Sequence, residues 1–122
     1  MLKGLRTSVY IVDNINSAKD WYSNVLGKQP YFDEPFYVGF NVGGFELGLL
    51  PRGEEGNPGP GGVLTYWAVD DAKAAYQRLI DMGAEAHYPV TDVGGNVLLG
   101  TVIDPFGNEL GIIENPNFKI EE

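Results

Sequence analysis

Two glutamates occupy matching positions in two similar stretches of the chain. Glu46 lies in the segment FELGLL that begins at Phe45, and Glu109 lies in the segment NELGII that begins at Asn108. Carboxylates that face one cavity can bind a cation or the amine of a ligand, whereas glutamates on an exposed rim only keep a protein soluble. Both interpretations of this pair remain open at the level of the sequence.

The other residue types exclude several kinds of active site. The chain contains no cysteine, which excludes disulfides, thiolate nucleophiles and cysteine-ligated metal centres. Its single histidine, His87, excludes any site that needs two imidazoles from one chain. A lone histidine is more often an ordinary strand or surface residue than a general base, although histidine titrates near neutrality. We therefore assign no catalytic residue.

The charge balance narrows the choice of partners. The 122 residues include 8 Lys+Arg and 17 Asp+Glu, which gives a formal net charge of −9. This excess of acid argues against nucleic acid, because binding to phosphates depends on clustered basic side chains. It favours a cationic small molecule, or it simply keeps the protein soluble. No apolar run approaches the ~20 residues of a membrane span and no signal peptide is recognised, so we expect no membrane partner and a cytoplasmic location.

The elements that must position these residues follow the same order twice along the chain. In the first half, a β-rich run precedes a helix whose apolar residues recur at spacings of three and four, and Gly27 ends that helix. Two further strands flank Gly43-Gly44, a two-residue hairpin signal. The predicted elements of this half are a strand at 5–12, a helix at 18–26 and strands at 36–42 and 45–50.

The second half repeats this order after a segment rich in glycine and proline. Its predicted elements are a strand at 63–69, a helix at 72–82 and strands at 86–93, 96–103 and 110–114. We therefore predict a single α+β domain of two tandem βαβββ modules, whose curved mixed sheets surround a cleft and whose helices lie on the convex side. Module one is residues 1–50, the linker 51–62, module two 63–114 and the polar tail 115–122.

Several motifs, in the right order, resemble the vicinal oxygen chelate superfamily. They are Asn14-Ile15-Asn16-Ser17-Ala18, Trp21-Tyr22 and Val25-Leu26-Gly27 in the first half, and Val69-Asp70-Asp71, Gly83-Ala84 and Asp104-Pro105-Phe106-Gly107-Asn108 in the second. This superfamily includes glyoxalase I, bleomycin-resistance proteins, fosfomycin-resistance enzymes and extradiol dioxygenases, and the resemblance covers the chain apart from its tail. It implies a homodimer in which modules from two chains complete each cleft.

The resemblance also implies where a metal would bind. Members of the superfamily take one metal ligand from the first and the last strand of each module, on the concave face. Here those positions hold Thr7, Gly48, Leu64 and Gly111. None of the four is an imidazole, a carboxylate or a thiolate, so we expect no metal and no other cofactor. A shift of the alignment by two residues in the closing strands would bring Glu46 and Glu109 to these positions, still without a histidine.

Strand alternation predicts which residues line the face opposite the helices. It pairs two glycines in the middle of each half, Gly39 with Gly48 and Gly100 with Gly111, the second pair through a four-residue turn at 104–107. Glycine inside a strand lets a sheet curl, or leaves a void that admits a bulky or planar ligand, and both can hold. The ligand-binding residues that we predict are Tyr37, Asn41, Glu46, Gly48, Leu64, Tyr66, Leu98, Gly100, Glu109 and Gly111.

The leading interpretation is a small-molecule binding protein that resembles the bleomycin-resistance proteins. It would capture a cationic or aromatic ligand stoichiometrically in a metal-free cleft. The alternative is a glyoxalase-type metal-dependent lyase, isomerase or transferase, with non-standard metal ligands among Glu46, Glu109 and His87 and others from a partner chain. A third interpretation is an interaction module without a dedicated ligand. Metal content and ligand-induced shifts of the melting temperature distinguish the three.

Overall fold

Each half of the chain forms its own sheet with its own helix. The computed structural model describes residues 1, 3, 5–53, 56–60 and 64–117. The chain divides into two compact units, Met1–Gly59 and Pro60–Glu122, and each contains one four-stranded sheet with parallel and antiparallel pairs. The predicted α+β fold of two similar modules is confirmed. Parts of the predicted linker, the start of the strand at 63–69 and the end of the tail lie outside the described residues.

The first unit contains one strand that the sequence did not predict. Its elements are β1 (Thr7–Val12), α1 (Ile15–Leu26), β2 (Phe32–Glu34), β3 (Tyr37–Val42) and β4 (Phe45–Pro51), and the sheet order is β1-β4-β3-β2. The unpredicted strand is β2, whose sequence FDE is short, largely charged and exposed along its whole length. Nothing in such a segment marks a strand, and only its pairing with β3 makes it one.

Helix α1 begins and ends where local side chains and backbone require it. The Asn14 side chain accepts a hydrogen bond from the Ser17 amide at 3.0 Å, which caps the first turn. Gly27 ends the helix with a φ of 67°, a left-handed conformation that favours glycine. The helix therefore starts at Ile15, three residues before the predicted start at Ala18. It lies against β3 and β4.

The β3–β4 hairpin separates an apolar face from a polar face. Gly43 and Gly44 both have positive φ angles, 61° and 92°, as a two-residue hairpin turn requires. The turn sets the predicted register, with Gly39 opposite Gly48, and this prediction is confirmed. On the helix side, the bulky hairpin residues are almost fully buried: Val38, Phe40, Leu47 and Leu49. Alternation then places Asn41 and Glu46 together on the other face.

The second unit has the same order of elements. They are β5 (Tyr66–Ala68), α2 (Ala72–Asp81), β6 (Glu85–Asp92), β7 (Leu98–Ile103) and β8 (Glu109–Glu114), and the sheet order is β5-β8-β7-β6. The Asp71 side chain caps α2 by accepting from the Ala74 amide at 3.1 Å. No helix in the part of the chain that the structure describes is long and apolar enough to cross a membrane.

The predicted pairing of Gly100 with Gly111 is wrong by one residue. Thr101 pairs with Gly111, and Gly100 pairs with Ile112. The cause is the turn, because the Asp104 carboxylate accepts from the Asn108 amide at 2.9 Å while the Asp104 amide donates to the Asn108 carbonyl at 2.8 Å. This closes a turn one residue longer than the four-residue turn that we predicted. A shift of one residue moves every side chain of a strand to the other face.

Two predicted site residues change faces as a consequence. Gly100 lies on the helix side of its sheet, where a Cβ would lie 3.2 Å from the Tyr76 ring of α2. Leu98 is two residues away on the same strand and shares that face. Leu98 and Gly100 therefore do not lie beside Glu109 and Gly111, as the alternation had predicted.

Candidate functional site

Three hydroxyl groups from three parts of the first unit surround the carboxylate of Glu46. Its Oε1 atom accepts a hydrogen bond from Thr7 Oγ1 at 2.7 Å and another from Tyr37 Oη at 2.5 Å. Its Oε2 atom accepts one from Tyr31 Oη. Strand pairing explains two of these neighbours. The pairing of β1 with β4 places Thr7 directly beside Glu46. Tyr31 lies just before β2, and its amide donates to the Gly39 carbonyl of β3 at 3.0 Å.

These hydrogen bonds keep the carboxylate charged. Burial by itself raises the pKa of Glu46, but the hydrogen bonds from Tyr31, Tyr37 and Thr7 outweigh burial and hold the pKa below its usual value of 4.5. The pKa of Tyr37 is raised above 10.0 by burial and by its hydrogen bond to Glu46. The hydrogen bond to Glu46 also raises the pKa of Tyr31 above 10.0. At neutral pH the cluster is one negative charge held by neutral hydroxyls.

This arrangement predicts how stability changes with pH. A carboxyl whose pKa is lower in the folded state stabilises the fold above its unfolded pKa, and the contribution disappears as the pH falls through the folded pKa. We expect the Glu46→Gln variant to be less stable than the wild type at neutral pH and the difference between the two free energies of unfolding to shrink as the pH falls through the lowered pKa of Glu46. Urea denaturation across this range measures the difference. The matched control is Glu34→Gln, on an exposed position of β2. If the difference in free energy of unfolding between that variant and the wild type changed with pH in the same way, the prediction would be wrong.

A cavity of about 340 Å³ opens beside the cluster. Its lining includes Arg6, Thr7, Tyr31, Asn41, Phe45 and Glu46. A tyrosine, a phenylalanine, an asparagine and one residue of each charge therefore line the same space. Asn41 has a second task, since its side chain accepts from the Gly44 amide at 2.9 Å and so holds the hairpin turn. Of the predicted ligand-binding residues, Asn41 and Glu46 line this cavity, and Tyr37 donates a hydrogen bond to Glu46.

The predicted void over the central glycines of the first unit is filled by the chain's own side chains. A Cβ at Gly48 would overlap the hydroxyl of Tyr37, whose ring covers this position. A Cβ at Gly39 would lie 2.7 Å from Glu46 Oε2. The glycines therefore make room for Tyr37 and Glu46 to meet, and the open cavity lies to one side of them.

Five lining residues were not among the predicted ligand-binding residues. They are Arg6, Thr7, Tyr31, Gly44 and Phe45. Thr7 was considered only as a metal position, and strand alternation from Glu46 puts the Phe45 side chain on the helix side of the hairpin. Tyr31 was missed because β2 was not predicted, so no face could be assigned to its neighbours. The local sequence Pro30-Tyr31-Phe32-Asp33-Glu34 does not by itself indicate a ligand-binding residue.

The second unit places Glu109 in a comparable setting. Glu109 Oε2 accepts a hydrogen bond from Thr101 Oγ1 at 2.7 Å and lies 3.5 Å from His87 Nε2. Thr101 is almost fully buried, whereas the His87 side chain is 47% exposed. The ring of Tyr66 covers Gly111, as that of Tyr37 covers Gly48. Leu64, another predicted site residue, is 48% exposed and lies before the first residue of β5.

The two glutamates have matching neighbours. Tyr31 immediately precedes the β2 residue that pairs with Gly39, and His87 immediately precedes the β6 residue that pairs with Thr101. Gly39 and Thr101 hold the same place in the repeat, because each pairs with the glycine two residues after the glutamate of its own sheet. The phenol that contacts the carboxylate in the first unit is thus replaced by an imidazole in the second.

Comparison with known proteins places this fold in a family. The sequence model of the Glyoxalase/Bleomycin resistance protein/Dioxygenase superfamily matches residues 5–112. The chain belongs to this superfamily. No curated protein matches the chain.

Solved structures of superfamily members share the fold. A glyoxalase-related enzyme from Fulvimarina pelagi is 20% identical, with a TM-score of 0.77, over 98% of this chain and 94% of that one. A superfamily member from Sphaerobacter thermophilus is 22% identical, with a TM-score of 0.76, over 93% and 98%. A glyoxalase/bleomycin resistance protein from Catenulispora acidiphila is 23% identical, with a TM-score of 0.67, over 93% and 100%. At these identities the likeness concerns the fold alone.

The superfamily's metal-ligand positions do not fit a metal in this chain. Thr7 donates its hydroxyl hydrogen to Glu46, and Gly48 and Gly111 are covered by tyrosine rings. Leu64 offers only an alkyl group. Elsewhere, no group of three or more His, Asp or Glu side chains able to hold a metal occurs among the described residues. His87 and Glu109, 3.5 Å apart, would supply two ligands.

Proposed function

We propose that this protein binds a small cationic aromatic molecule beside Glu46, stoichiometrically and without a chemical step. The observation that carries the proposal is an ionised carboxylate fixed by three hydroxyl donors on the wall of a cavity. A carboxylate has about four acceptor positions, so about one remains for an N–H group of a ligand. Because the hydroxyls of Thr7, Tyr31 and Tyr37 already fix the Glu46 carboxylate, ligand binding does not have to order that side chain.

The rest of the cavity favours an aromatic ligand of modest size. Tyr31 and Phe45 both line the cavity, and aromatic rings attract both flat apolar groups and cations. A volume of about 340 Å³ is near the lower end of the range for small-molecule sites. A ligand with one or two rings and one amine matches these dimensions. Capture of this kind is what the bleomycin-resistance branch of the superfamily would suggest.

Metal-free binding is part of the proposal and separates it from the alternative. The residues at the superfamily's metal positions lack ligand atoms of the right kind, so the ligand would be held by Glu46 and the rings alone. A metal-dependent lyase, isomerase or transferase would have to build its site on His87 and Glu109 with further ligands. Elemental analysis of protein purified without chelator distinguishes the two, and about one equivalent of zinc, nickel or manganese per chain would contradict our proposal.

We also propose that the protein acts in the cytoplasm as a homodimer, with a small molecule rather than nucleic acid or membrane as its ligand. The homodimer follows from the superfamily resemblance, and the net charge of −9 supports the exclusion of nucleic acid. Sedimentation of the purified protein at several concentrations measures the oligomeric state.

The direct test is calorimetry with two probes that differ in charge. Phenethylamine carries a ring and an ammonium group, and 2-phenylethanol replaces the ammonium with a neutral hydroxyl. We expect phenethylamine to bind the wild type and to lose about 10- to 100-fold in affinity for Glu46→Gln, since a hydrogen bond to a charged group contributes about 1.5–3 kcal/mol. Glu34→Gln, in the same unit but outside the cavity, is the matched control and should bind as the wild type does.

Two results would contradict the proposal. Equal affinity for the amine and the alcohol would mean that the carboxylate does not select a cation. Loss of amine binding in Glu109→Gln with full binding in Glu46→Gln would place the site in the second unit.

A further inference from the structure

Two opposite charges line the cavity of the first unit without pairing with each other. Arg6 and Glu46 both face this space. The ion pairs that the described residues form are Lys19 with Asp33, Arg52 with Asp13, and His87 with Glu109. Within that part of the chain, Arg6 therefore has no carboxylate partner. Among the described residues, the one hydrogen bond of its side chain goes to the carbonyl of its neighbour Leu5, at 3.3 Å.

The backbone holds these two residues side by side. The Glu46 amide donates to the Arg6 carbonyl at 2.8 Å, and the next residue, Thr7, pairs with Glu46 across β1 and β4. The carboxylate oxygens accept hydrogen bonds from the hydroxyls of Thr7, Tyr31 and Tyr37, and Arg6 and Glu46 form no ion pair with each other. Arg6, just before β1, and Glu46, on the neighbouring β4, thus both line the cavity.

An unpaired arginine is notable in a chain with this composition. Acidic residues outnumber basic ones by 17 to 8, so a surface arginine has many possible partners. A guanidinium is also a planar fork of donors that fits a carboxylate through two parallel hydrogen bonds. In a cavity that already contains Glu46, it would repel a ligand that carries only positive charge, and it would attract one that also carries a negative group.

We infer that the ligand is a zwitterion, with its ammonium group at Glu46 and a carboxylate at Arg6. This inference rests on the proposed function, since it adds a second contact to the same cavity. An aromatic α-amino acid represents the chemical class, with one amine, one carboxylate and one ring. The amine fits the free acceptor position of Glu46, the ring fits beside Tyr31 and Phe45, and the carboxylate reaches the guanidinium at the rim.

The experiment compares phenylalanine with phenethylamine, which is the same molecule without the carboxylate. At neutral pH we expect phenylalanine to bind the wild type about fivefold more tightly, the size expected for a contact with an exposed arginine. In Arg6→Gln this advantage should disappear, and phenethylamine should bind with higher affinity because the repulsion from the guanidinium is removed. Arg52→Gln is the matched control, because Arg52 is an exposed arginine paired with Asp13, and it should keep the fivefold advantage.

The outcomes separate this inference from the proposed function. If phenethylamine binds through Glu46 and phenylalanine gains nothing, the zwitterion is wrong and the cation site stands. If phenylalanine keeps its advantage in Arg6→Gln, its carboxylate contacts another group and the inference is again wrong. If neither probe binds the wild type, both proposals fail.

Discussion

Gly111→Ala is expected to destabilise the second unit by about 2–3 kcal/mol, the cost of forcing extra volume into a packed site. A Cβ at this position would lie 2.5 Å from the Thr65 carbonyl oxygen and 2.7 Å from a ring carbon of Tyr66. The carbonyl cannot move away cheaply, because it accepts a hydrogen bond from the Gly111 amide at 3.1 Å and so joins the start of β5 to β8. Thermal and urea denaturation measure the loss.

The equivalent glycine of the first unit provides the matched control. At Gly48 the new methyl would meet the hydroxyl end of Tyr37, which is a side chain that can swing aside. We therefore expect Gly48→Ala to cost clearly less stability than Gly111→Ala, although both glycines sit at the same place in the repeat. Equal losses in the two variants would show that the backbone contact at Thr65 is not what restricts Gly111.

Gly48→Ala should instead change the site. If Tyr37 moves, Glu46 loses one of its hydroxyl donors, and its pKa should rise toward the usual value of 4.5. Titration of the Glu46 carboxyl by NMR, in wild type and variant, detects this change directly.

Phe40→Ala is expected to destabilise the first unit by about 3–5 kcal/mol, the usual range for truncating a buried phenylalanine. Phe40 is fully buried on the helix side of β3, opposite Leu47. Its removal leaves a cavity that the β3–β4 hairpin cannot close, because the register of that hairpin is fixed by the turn at Gly43-Gly44.

The control for this variant lies four residues away. Phe36 is 63% exposed and touches Phe32 at the edge of the sheet, with ring centroids 6.0 Å apart. Phe36→Ala is expected to change stability by less than about 0.5 kcal/mol, as surface substitutions usually do. A loss in Phe36→Ala as large as that in Phe40→Ala would mean that the exposed aromatic residues are covered in solution.

Glu46 shows which features of the site could be predicted from the sequence. The repeat identified it as one of a pair with Glu109, and alternation within the β3–β4 hairpin put it on the same face as Asn41. Two of its hydrogen-bond partners lie well before it in the sequence. Thr7 is 39 residues away and Tyr31 is 15 residues away. Those contacts depend on which strands pair and on how side chains pack across them, so composition and periodicity do not predict them.

The sequence by itself determined the two modules, the glycine that ends the first helix and the register of the first hairpin, because the last two depend on residues that are near neighbours. Asn14, Gly27 and the Gly43-Gly44 turn act through their own backbone angles and adjacent hydrogen bonds. The turn after Asp104 is also local, but its length followed only from the structure, where the Asp104 carboxylate accepts from the Asn108 amide and the register of β7 and β8 differs by one residue from the predicted one. Only the tertiary structure decided that β2 exists and that Tyr31 and Arg6 line the same cavity as Glu46, because a short exposed edge acquires its structure from the strand beside it.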